Sequence, residues 1–533
     1  MDNDLQGKKT GHRELPKRQV VLTMAGVMLA MFFASLDQTV VGTAMPRIIT
    51  DLGGFAQYTW VATAYIIAST ITLLIAGKLS DMYGRKWFLI GGIAVFIVGS
   101  ILCGTSQTMM QLIAFRAFQG IGAGAIMGMA FITIGDLFSP AERGKYVGLL
   151  SGVFGLSSVI GPTLGGYITD NLSWNWVFFI NIPFGILIML LFIFFFPQLR
   201  PGVRKHRVDY AGIITLILTV VPLMLALSWA GVNYDWLSFP ILFMFAFSLA
   251  MLLLFIIVES RAKEPILPLW IFRNRIVSVS SIVTFILGFG MFTGIIFIPL
   301  YFQGVLGTSA TASGGFLTPM MLGLVVGSVI SGQVLSRVGG HYRLQGTAGI
   351  IIMALGFFLL SRMTVETSYA TAIMNIVVMG FGLGITMPMY IIAVQNAVPY
   401  SVMGIATSTN AFFRSLGGAL GLAVVGSVMT NRFAAEFKEG LPPEVSAVVP
   451  SEQLSSIIDN PQALVSPEAQ DQLRSFFESM GSQGAALFEQ LLSTLREALN
   501  SAVTEVFLVA LGVIAVAFLA NFFIKEIPLR KHL

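Results

Sequence analysis

Long apolar runs alternate with short polar breaks along most of the chain. Fourteen runs of roughly 20 residues fall at 20–43, 57–77, 87–105, 111–135, 145–169, 175–196, 209–229, 238–258, 276–302, 310–335, 344–361, 369–394, 403–430 and 501–524. Each is long enough to cross ~30 Å of hydrocarbon as a helix. Only helices and closed barrels satisfy their backbone groups there. The pattern predicts an all-α integral membrane protein with fourteen transmembrane helices. One polar interval, 431–500, differs in kind. It holds ten acidic and four basic residues, and Pro442, Pro443, Pro450, Pro461 and Pro467 break its first part. Beyond them, Leu487, Phe488, Leu491, Leu492, Leu495 and Leu499 recur at helical spacing, which predicts an amphipathic helix leading into the last span. That segment can lid an exit, rest on lipid or dock an extracytoplasmic partner; a loosely packed cap needs none of these.

Composition agrees with the runs. The chain is 56% hydrophobic and 11% charged, with mean hydropathy +0.83, against about 25% charged for soluble proteins. Counting Lys and Arg by loop puts 23 of the 31 on one side, six on the other, and Arg116 and Arg414 inside spans. The positive-inside rule then puts both termini in the cytoplasm. The net charge of +5 reflects this orientation and points to no nucleic-acid partner. Residues 1–19 form a basic tail without a small-residue cleavage site, so the first span is expected to be a retained anchor. The single cysteine, Cys103, excludes an internal disulfide.

The breaks between spans carry a repeat. Gly77-x-Leu79-x-Asp81-x-x-Gly84-Arg85-Lys86 follows span 2, and a weaker echo, Gly332 to His341, follows span 10. Gly120, Gly122 and Gly124 in span 4 recur as Gly380, Gly382 and Gly384 in span 12. This register divides the chain into an N-terminal six-helix bundle (20–196), an inserted helix pair with its linkers (197–275), a C-terminal six-helix bundle (276–524, with the 431–500 segment) and a tail (525–533). Two halves related by an axis along the membrane normal form a transporter architecture, with substrate held between them.

Five stretches in order carry a resemblance. They are Leu36-Asp37-Gln38-Thr39-Val40-Val41 with Ala44 and Pro46; Gly77–Lys86; Leu112-x-x-x-Arg116-x-x-Gln119-Gly120-x-Gly122; Gly161-Pro162-Thr163-Leu164-Gly165-Gly166; and Trp174 to Pro183, where Asn175 replaces a frequent Arg. The chain resembles the fourteen-span drug:proton antiporter branch of the major facilitator superfamily, the QacA/EmrB type. The likeness covers roughly residues 20–430 and the last span. It implies a cell-membrane multidrug efflux transporter, on the bacterial cytoplasmic-membrane pattern, that works as a monomer and uses the proton as its coupling ion, without a cofactor.

Few residues can carry that chemistry. Asp37 is the one carboxylate clearly inside a span. A charge at the centre of a lipid-facing helix costs ~2.5–3.5 kcal/mol on insertion scales, so Asp37 should face the bundle interior and bind a proton part of the time. A permanently hydrogen-bonded packing Asp is the alternative. Arg116 is the natural partner. At 1.5 Å per residue it lies about 8 Å from the outer start of span 4, and Asp37 about 9 Å from the outer end of span 1. Arg keeps its proton and can tune the Asp; it can also merely cap helix carbonyls. The resemblance links this Arg to proton movement.

In the loop, Gly77 and Gly84 permit a tight turn, Asp81 can face the start of span 13, and Arg85 can pair with Asp136. Together with Lys86 these would form a cytoplasmic gate, unless the charges only set topology. The echo carries Ser336 in place of Asp81, so the latch should be one-sided. Gly161, Pro162, Gly165 and Gly166 match the antiporter motif, which in the family is taken to restrict leakage; kinked packing is the alternative reading. Phe33, Gln38, Tyr65, Tyr390, Asn410 and Arg414 are candidate substrate-cavity residues. Arg414 can hold an anionic group or a substrate oxygen, or only backbone and Asn or Ser partners. Met320, Met321 and Met389 can give an adaptable wall. Glu505 is expected to be solvated at the outer mouth, and Glu142 to be surface charge. Span 10 lacks the second acid of relatives that export divalent cations.

Three functions follow. The first is proton-coupled export of hydrophobic or amphiphilic compounds, and the second is export of lipids or lipid-like molecules on the same fold. The third, a receptor or scaffold, leaves a buried Asp and Arg without use. No enzyme is expected. His12, His206, His341 and His532 lie in loops or tails, and neither metal-ligand spacing nor a phosphate-binding loop occurs.

Overall fold

The computed structural model describes residues 16–53, 57–197, 207–231, 234–307, 310–338, 341–443, 445, 474–475, 477 and 482–529. Among these residues, fourteen helices are long and apolar enough to cross a membrane, in the order of the fourteen runs. They are α1 Lys17–Leu52, α2 Tyr58–Tyr83, α3 Arg85–Gly104, α4 Met109–Leu137 and α5 Pro140–Asn171. Then come α6 (Trp176–Phe179 and Asn181–Phe195, broken at Ile180), α7 Tyr210–Trp229, α8 Phe239–Arg261, α9 Arg275–Gly304 and α10 Ala310–Val338. The last are α11 Tyr342–Ser361, α12 Tyr369–Ala397, α13 Met403–Gly440 and α14 Ser482–Asn521. No sheet occurs among the described residues; one isolated bridge joins Ala230 and Tyr234.

Several helices outrun their apolar runs because local capping continues them. The helix α5 begins at Pro140 because Ser139 precedes it and Glu142 reaches back to the Ser139 hydroxyl at 2.8 Å and its N–H at 3.3 Å. Glu142 is exposed and also caps the helix. The helix α1 continues to Leu52 and stops at Gly53, whose φ of 69° suits glycine. The amphipathic stretch before span 14 and the span itself form one 40-residue helix.

The two halves repeat their contacts. In the N-terminal half α4 packs on α2 and α3, and α1 on α5 and α6; in the C-terminal half α12 packs on α10 and α11, and α9 on α13 and α14. Glycines set these distances. Gly120 faces the Tyr65 carbonyl of α2, Gly122 the Gly92 and Phe96 backbone of α3, and Gly124 the Ser69 carbonyl of α2. Their counterparts Gly380, Gly382 and Gly384 face Met320, Met353 with Gly349, and Leu324. A side chain at any of the six would collide with backbone, which is why the spacing recurs. Each half has its own apolar cluster, one centred on residues such as Met31, Phe96 and Phe131, the other on Phe289, Met353 and Phe507.

The helices α7 and α8 pair with each other, pinned by the Ser248 hydroxyl donating to the Thr219 carbonyl at 2.7 Å. Leu216, Val220 and Met224 of α7 join Ile67, Ile71 and Leu74 of α2 and Ile405 and Ala406 of α13 in a third cluster. The pair thus lies along the flank where the halves meet, and α8 is largely uncovered.

Between the halves, α5 lies along α10 and α2 along α13. Gly144 and Gly332 meet backbone to backbone, and Gly148 faces Val329. Farther along α5, Gly155 still touches Met321, but Gly161 and Gly165 turn to Thr39 and Thr43 of α1. The close end is the end of the chain termini. There Asn396 donates to the Pro528 carbonyl at 3.0 Å, and Lys86 to the Ile193 carbonyl at 2.7 Å. We call this the terminal face. At the opposite face, Val445, Phe477, Phe488, Leu491, Leu495 and Leu499 are buried in the C-terminal cluster. The apolar side of the amphipathic stretch is therefore covered by the chain itself. Arg432 pairs there with Glu436 at 2.6 Å and with Glu505 at 2.9 Å, solvated pairs that contribute little.

Gly122→Leu and Gly382→Leu should each force apart one pair of helices, α4 from α3 and α12 from α11, at a cost of ~1–3 kcal/mol or more. Both are expected to lower the melting temperature in detergent, whereas Gly91→Leu, with open space around its α-carbon, should leave it unchanged.

Candidate functional site

The interior of the N-terminal half holds a closed set of polar side chains. Asp37 of α1 and Arg116 of α4 form an ion pair, each about 1% exposed. The second Asp37 oxygen, Oδ1, accepts from Gln119 Nε2 and from Asn181 Nδ2, both at 2.9 Å. The Ser100 hydroxyl of α3 accepts from the same two amides at 2.8 and 3.3 Å. Arg116 also donates to Gln119 Oε1 at 2.7 Å and to the Val61 carbonyl at 3.4 Å. Its guanidinium lies 4.0 Å from the Tyr65 ring centre, a cation–π arrangement. Tyr65 in turn donates to the Ala34 carbonyl at 3.0 Å.

Local structure explains the convergence. Arg116 and Gln119 sit three residues apart on one helix face. Asn181 opens the second piece of α6, just past the break at Ile180. Three helices, α1, α4 and α6, thus meet on one carboxylate, and α2 and α3 hold its partners. The helix α1 itself runs on to Leu52, fifteen residues past Asp37. A proton on Asp37 would remove the counter-charge of a guanidinium that cannot release its own proton. Any proton taken up by Asp37 would therefore act on Arg116, Gln119 and Asn181 together.

A second ionic cluster lies at the terminal face. Arg85 is fully buried; its Nη2 stands 2.5 Å from Asp81 Oδ1 and its Nε 2.7 Å from Asp136 Oδ2. Arg85 Nη1 also donates to the Ser80 hydroxyl at 2.6 Å. Asp81 Oδ2 accepts the Ile405 backbone N–H at 3.1 Å, in the first turn of α13, where the helix dipole favours an anion. This contact joins the two halves. Gly84 turns the chain between α2 and α3 at φ 95°, and Gly77 has no room for a side chain against Ser408 and Gly404. Lys86 stands apart from the ion pairs. In the echo, the side chain of Ser336 and all of Gly339 and Gly340 lie outside the described residues.

The remaining candidates are dispersed. Gly161 packs on the Thr39 side chain and Gly165 on Thr43 and the Val40 carbonyl, while Gly166 faces open space; the Pro162 side chain is outside the described residues. Thr39 donates to the Ser157 carbonyl at 3.2 Å, which binds α1 to α5 beside Asp37.

Four of the six cavity candidates are enclosed in this structure. Phe33 is buried against Phe184 of α6, ring centres 4.3 Å apart. Tyr65 belongs to the Asp37 cluster. Tyr390 is buried and bonded to Asn521 at 2.7 Å, and Asn410 to Thr284 at 3.1 Å. Met320 and Met389 are core residues. Gln38 and Arg414 alone of the six remain partly accessible. The reading of the sequence missed Ser100 and Asn181 as partners of Asp37, although Asn181 stands in a quoted signature. It also missed Arg143, which holds the end of α4 through the Gly135 and Phe138 carbonyls at 2.7 and 2.9 Å.

Removing one partner of a buried ion pair strands the other at a cost of ~3–5 kcal/mol. Asp37→Leu should therefore strongly lower thermal stability in detergent. Asp37→Asn, which keeps an acceptor for Arg116, should lose distinctly less in the same unfolding measurement.

The family model described as Major Facilitator Superfamily matches residues 27–422. The multidrug transporter protein MdtP of Bacillus subtilis (strain 168) is 41% identical over 96% of this chain and 94% of its own. Multidrug resistance protein 3 of the same organism is 38% identical over 94% of each chain. The crystal structure of the human organic anion transporter MFSD10 superposes with a TM-score of 0.60 at 13% identity, over 94% of this chain and 99% of that one. At that identity the likeness concerns the fold alone.

Proposed function

The chain belongs to the Major Facilitator Superfamily and is a secondary transporter of that type, not an enzyme; on that premise we propose that it exports hydrophobic or amphiphilic compounds in exchange for protons, on the QacA/EmrB-type plan. The observation that carries this reading is the Asp37–Arg116 pair, sealed within one half and bonded to Gln119 and Asn181. A charge pair without water contact is costly to keep, and a proton exchange gives it a use. Asp37 is the proton carrier and Arg116 holds it ionised until cargo and proton trade places. The two multidrug relatives support export of drug-like cargo.

The terminal face is assigned to the cytoplasm by its excess of Lys and Arg. The Asp81–Arg85–Asp136 cluster, docked on Ile405 of α13, then latches the cytoplasmic side while the opposite side is open. Loading of proton and cargo shifts the balance between the two closures. The close α1–α5 seam at Gly161 and Gly165 couples the carrier helix to the helix that lines the interface. The membrane potential supplies about 2.3 kcal/mol per charge per 100 mV to each proton that enters.

The test is gradient-driven dye efflux from vesicles. Wild type should move dye when a pH gradient is imposed, and Asp37→Asn should lose the gradient dependence while retaining slow equilibration. Equal gradient-driven efflux by both would overturn the carrier role, and movement of labelled lipid without any dye would assign the lipid-export reading instead. The latch has its own readout. Arg85→Ala should shift the distance between spin labels on the terminal ends of α2 and α13 toward a separated population, while labels at the opposite face approach.

A further inference from the structure

One interior charge is not used by the proton pathway or the latch. Arg414 lies on α13, eleven positions after Met403, so about 16 Å from the helix start at 1.5 Å per residue. That is near the middle of a ~30 Å hydrocarbon core. Its guanidinium stands 5.8 Å from the ring centre of Phe131 on α4. Helix α13 belongs to the C-terminal half and α4 to the N-terminal half, so the charge stands in the seam between them. The residue is only half-buried.

Arg414 has no ion pair and no hydrogen bond among the described residues; the Phe131 ring is its one partner. The interior carboxylates of the bundles are committed elsewhere. Asp37 is held by Arg116, and Asp81 and Asp136 by Arg85. On the terminal side the seam is closed: Gln395 Nε2 donates to the Phe131 carbonyl at 3.4 Å and to Thr407 at 3.2 Å, and Gly135 abuts Met403. Access to Arg414 is therefore from the opposite face. Phe154 packs against the clusters of both halves and so adds apolar surface to the seam.

A guanidinium without a counter-charge at this depth is expensive, and its planar fork of donors fits carboxylate, sulfonate and phosphate oxygens better than any neutral group. We propose that Arg414 is the docking point for an acidic group on the transported molecule, so that the preferred cargo is an anionic or zwitterionic amphiphile whose apolar body lies against Phe131 and Phe154. The claim rests on the exporter reading above and sharpens its substrate class. Cations of the kind many efflux pumps accept would meet an uncompensated like charge here.

A matched dye pair tests it without any gradient. Tetramethylrhodamine bears a free carboxylate, and its methyl ester is the same body as a cation. Binding of each to the detergent-solubilised full chain is followed by fluorescence anisotropy. Wild type should prefer the carboxylate dye at least tenfold. Arg414→Gln should weaken that dye at least tenfold and leave the ester unchanged or tighter, with Arg414→Lys recovering part of the loss. Retained ester binding also reports that the variant is folded. Equal weakening of both dyes, preference for the ester in wild type, or no binding of the carboxylate dye would overturn the proposal.

Lysophosphatidylglycerol added to the same mixture identifies the source of the acid. Displacement of the carboxylate dye from wild type assigns the site to an anionic lipid headgroup, and persistence of the dye assigns it to free amphiphilic acids. Because binding needs no pH gradient, a chain that shows the Arg414-dependent preference but no gradient-driven flux would refute the proton-antiport reading and leave this one standing.

Discussion

A charge in hydrocarbon has to be neutralised by what the chain itself brings within reach, and that constraint organises the interior of this protein. The chain commits few charges to its spans, and almost all are spoken for. Asp37 is matched by Arg116 and bonded by two amides, which a hydroxyl holds in turn. Arg85 is shared between two carboxylates and a helix start. Each cluster draws on several helices, so each fixes how those helices sit. The bundles are held in register by polar pairing at a few points and by glycine contact along their length, because apolar burial gives no preference between lipid and a neighbouring helix.

The parts legible in the sequence are those with a period or a price. Twenty-residue apolar runs leave no alternative to spanning helices. Gly120, Gly122 and Gly124 announce close contact, and their recurrence at Gly380, Gly382 and Gly384 announces the second half. Asp37 and Arg116 stand out because a charge in an apolar run demands a partner. What escaped was direction. Tyr65, Tyr390 and Asn410 are polar residues in spans, and nothing in their spacing says whether a polar tip points to a cavity or to a carbonyl one helix away. Each found a partner inside its own bundle. The helix ends escaped for a related reason: α1 and α13 continue past their apolar runs, where hydrogen bonding rather than hydropathy decides the boundary.

The two seams between the halves differ in kind. Along α2 and α13 the contact is ionic, with Asp81 seated on the Ile405 N–H and Arg85 beneath it. Along α5 and α10 it is steric, with Gly144 against Gly332. A steric contact between backbones stores little energy once separated, since no charge is stranded. An ionic contact, opened, exposes Arg85, Asp81 and Asp136 to water that can solvate them. Both can therefore part without leaving a buried group unpaired, as the proposed cycle requires. The same economy explains why a proton site would be placed away from the seams, where the neutral and charged states of Asp37 can be distinguished without water.

That separation raises the question of how protonation at Asp37 would reach the latch, and α4 supplies a physical route. It carries Arg116, the partner of Asp37; Phe131, the ring beneath Arg414; and Asp136, an acid of the latch. Arg116 and Asp136 are 20 positions apart, so about 30 Å at the rise of a helix. Being one continuous helix, α4 can carry a displacement from one of these points to the others. Under the proposed cycle, loss of the Asp37 charge frees Arg116 and with it the strongest tether on α4. The resulting shift acts on Phe131 in the seam and on the Asp136–Arg85 pair at the terminal face at once. Coupling then needs no contact between proton and cargo; it needs one rigid helix whose position both bias.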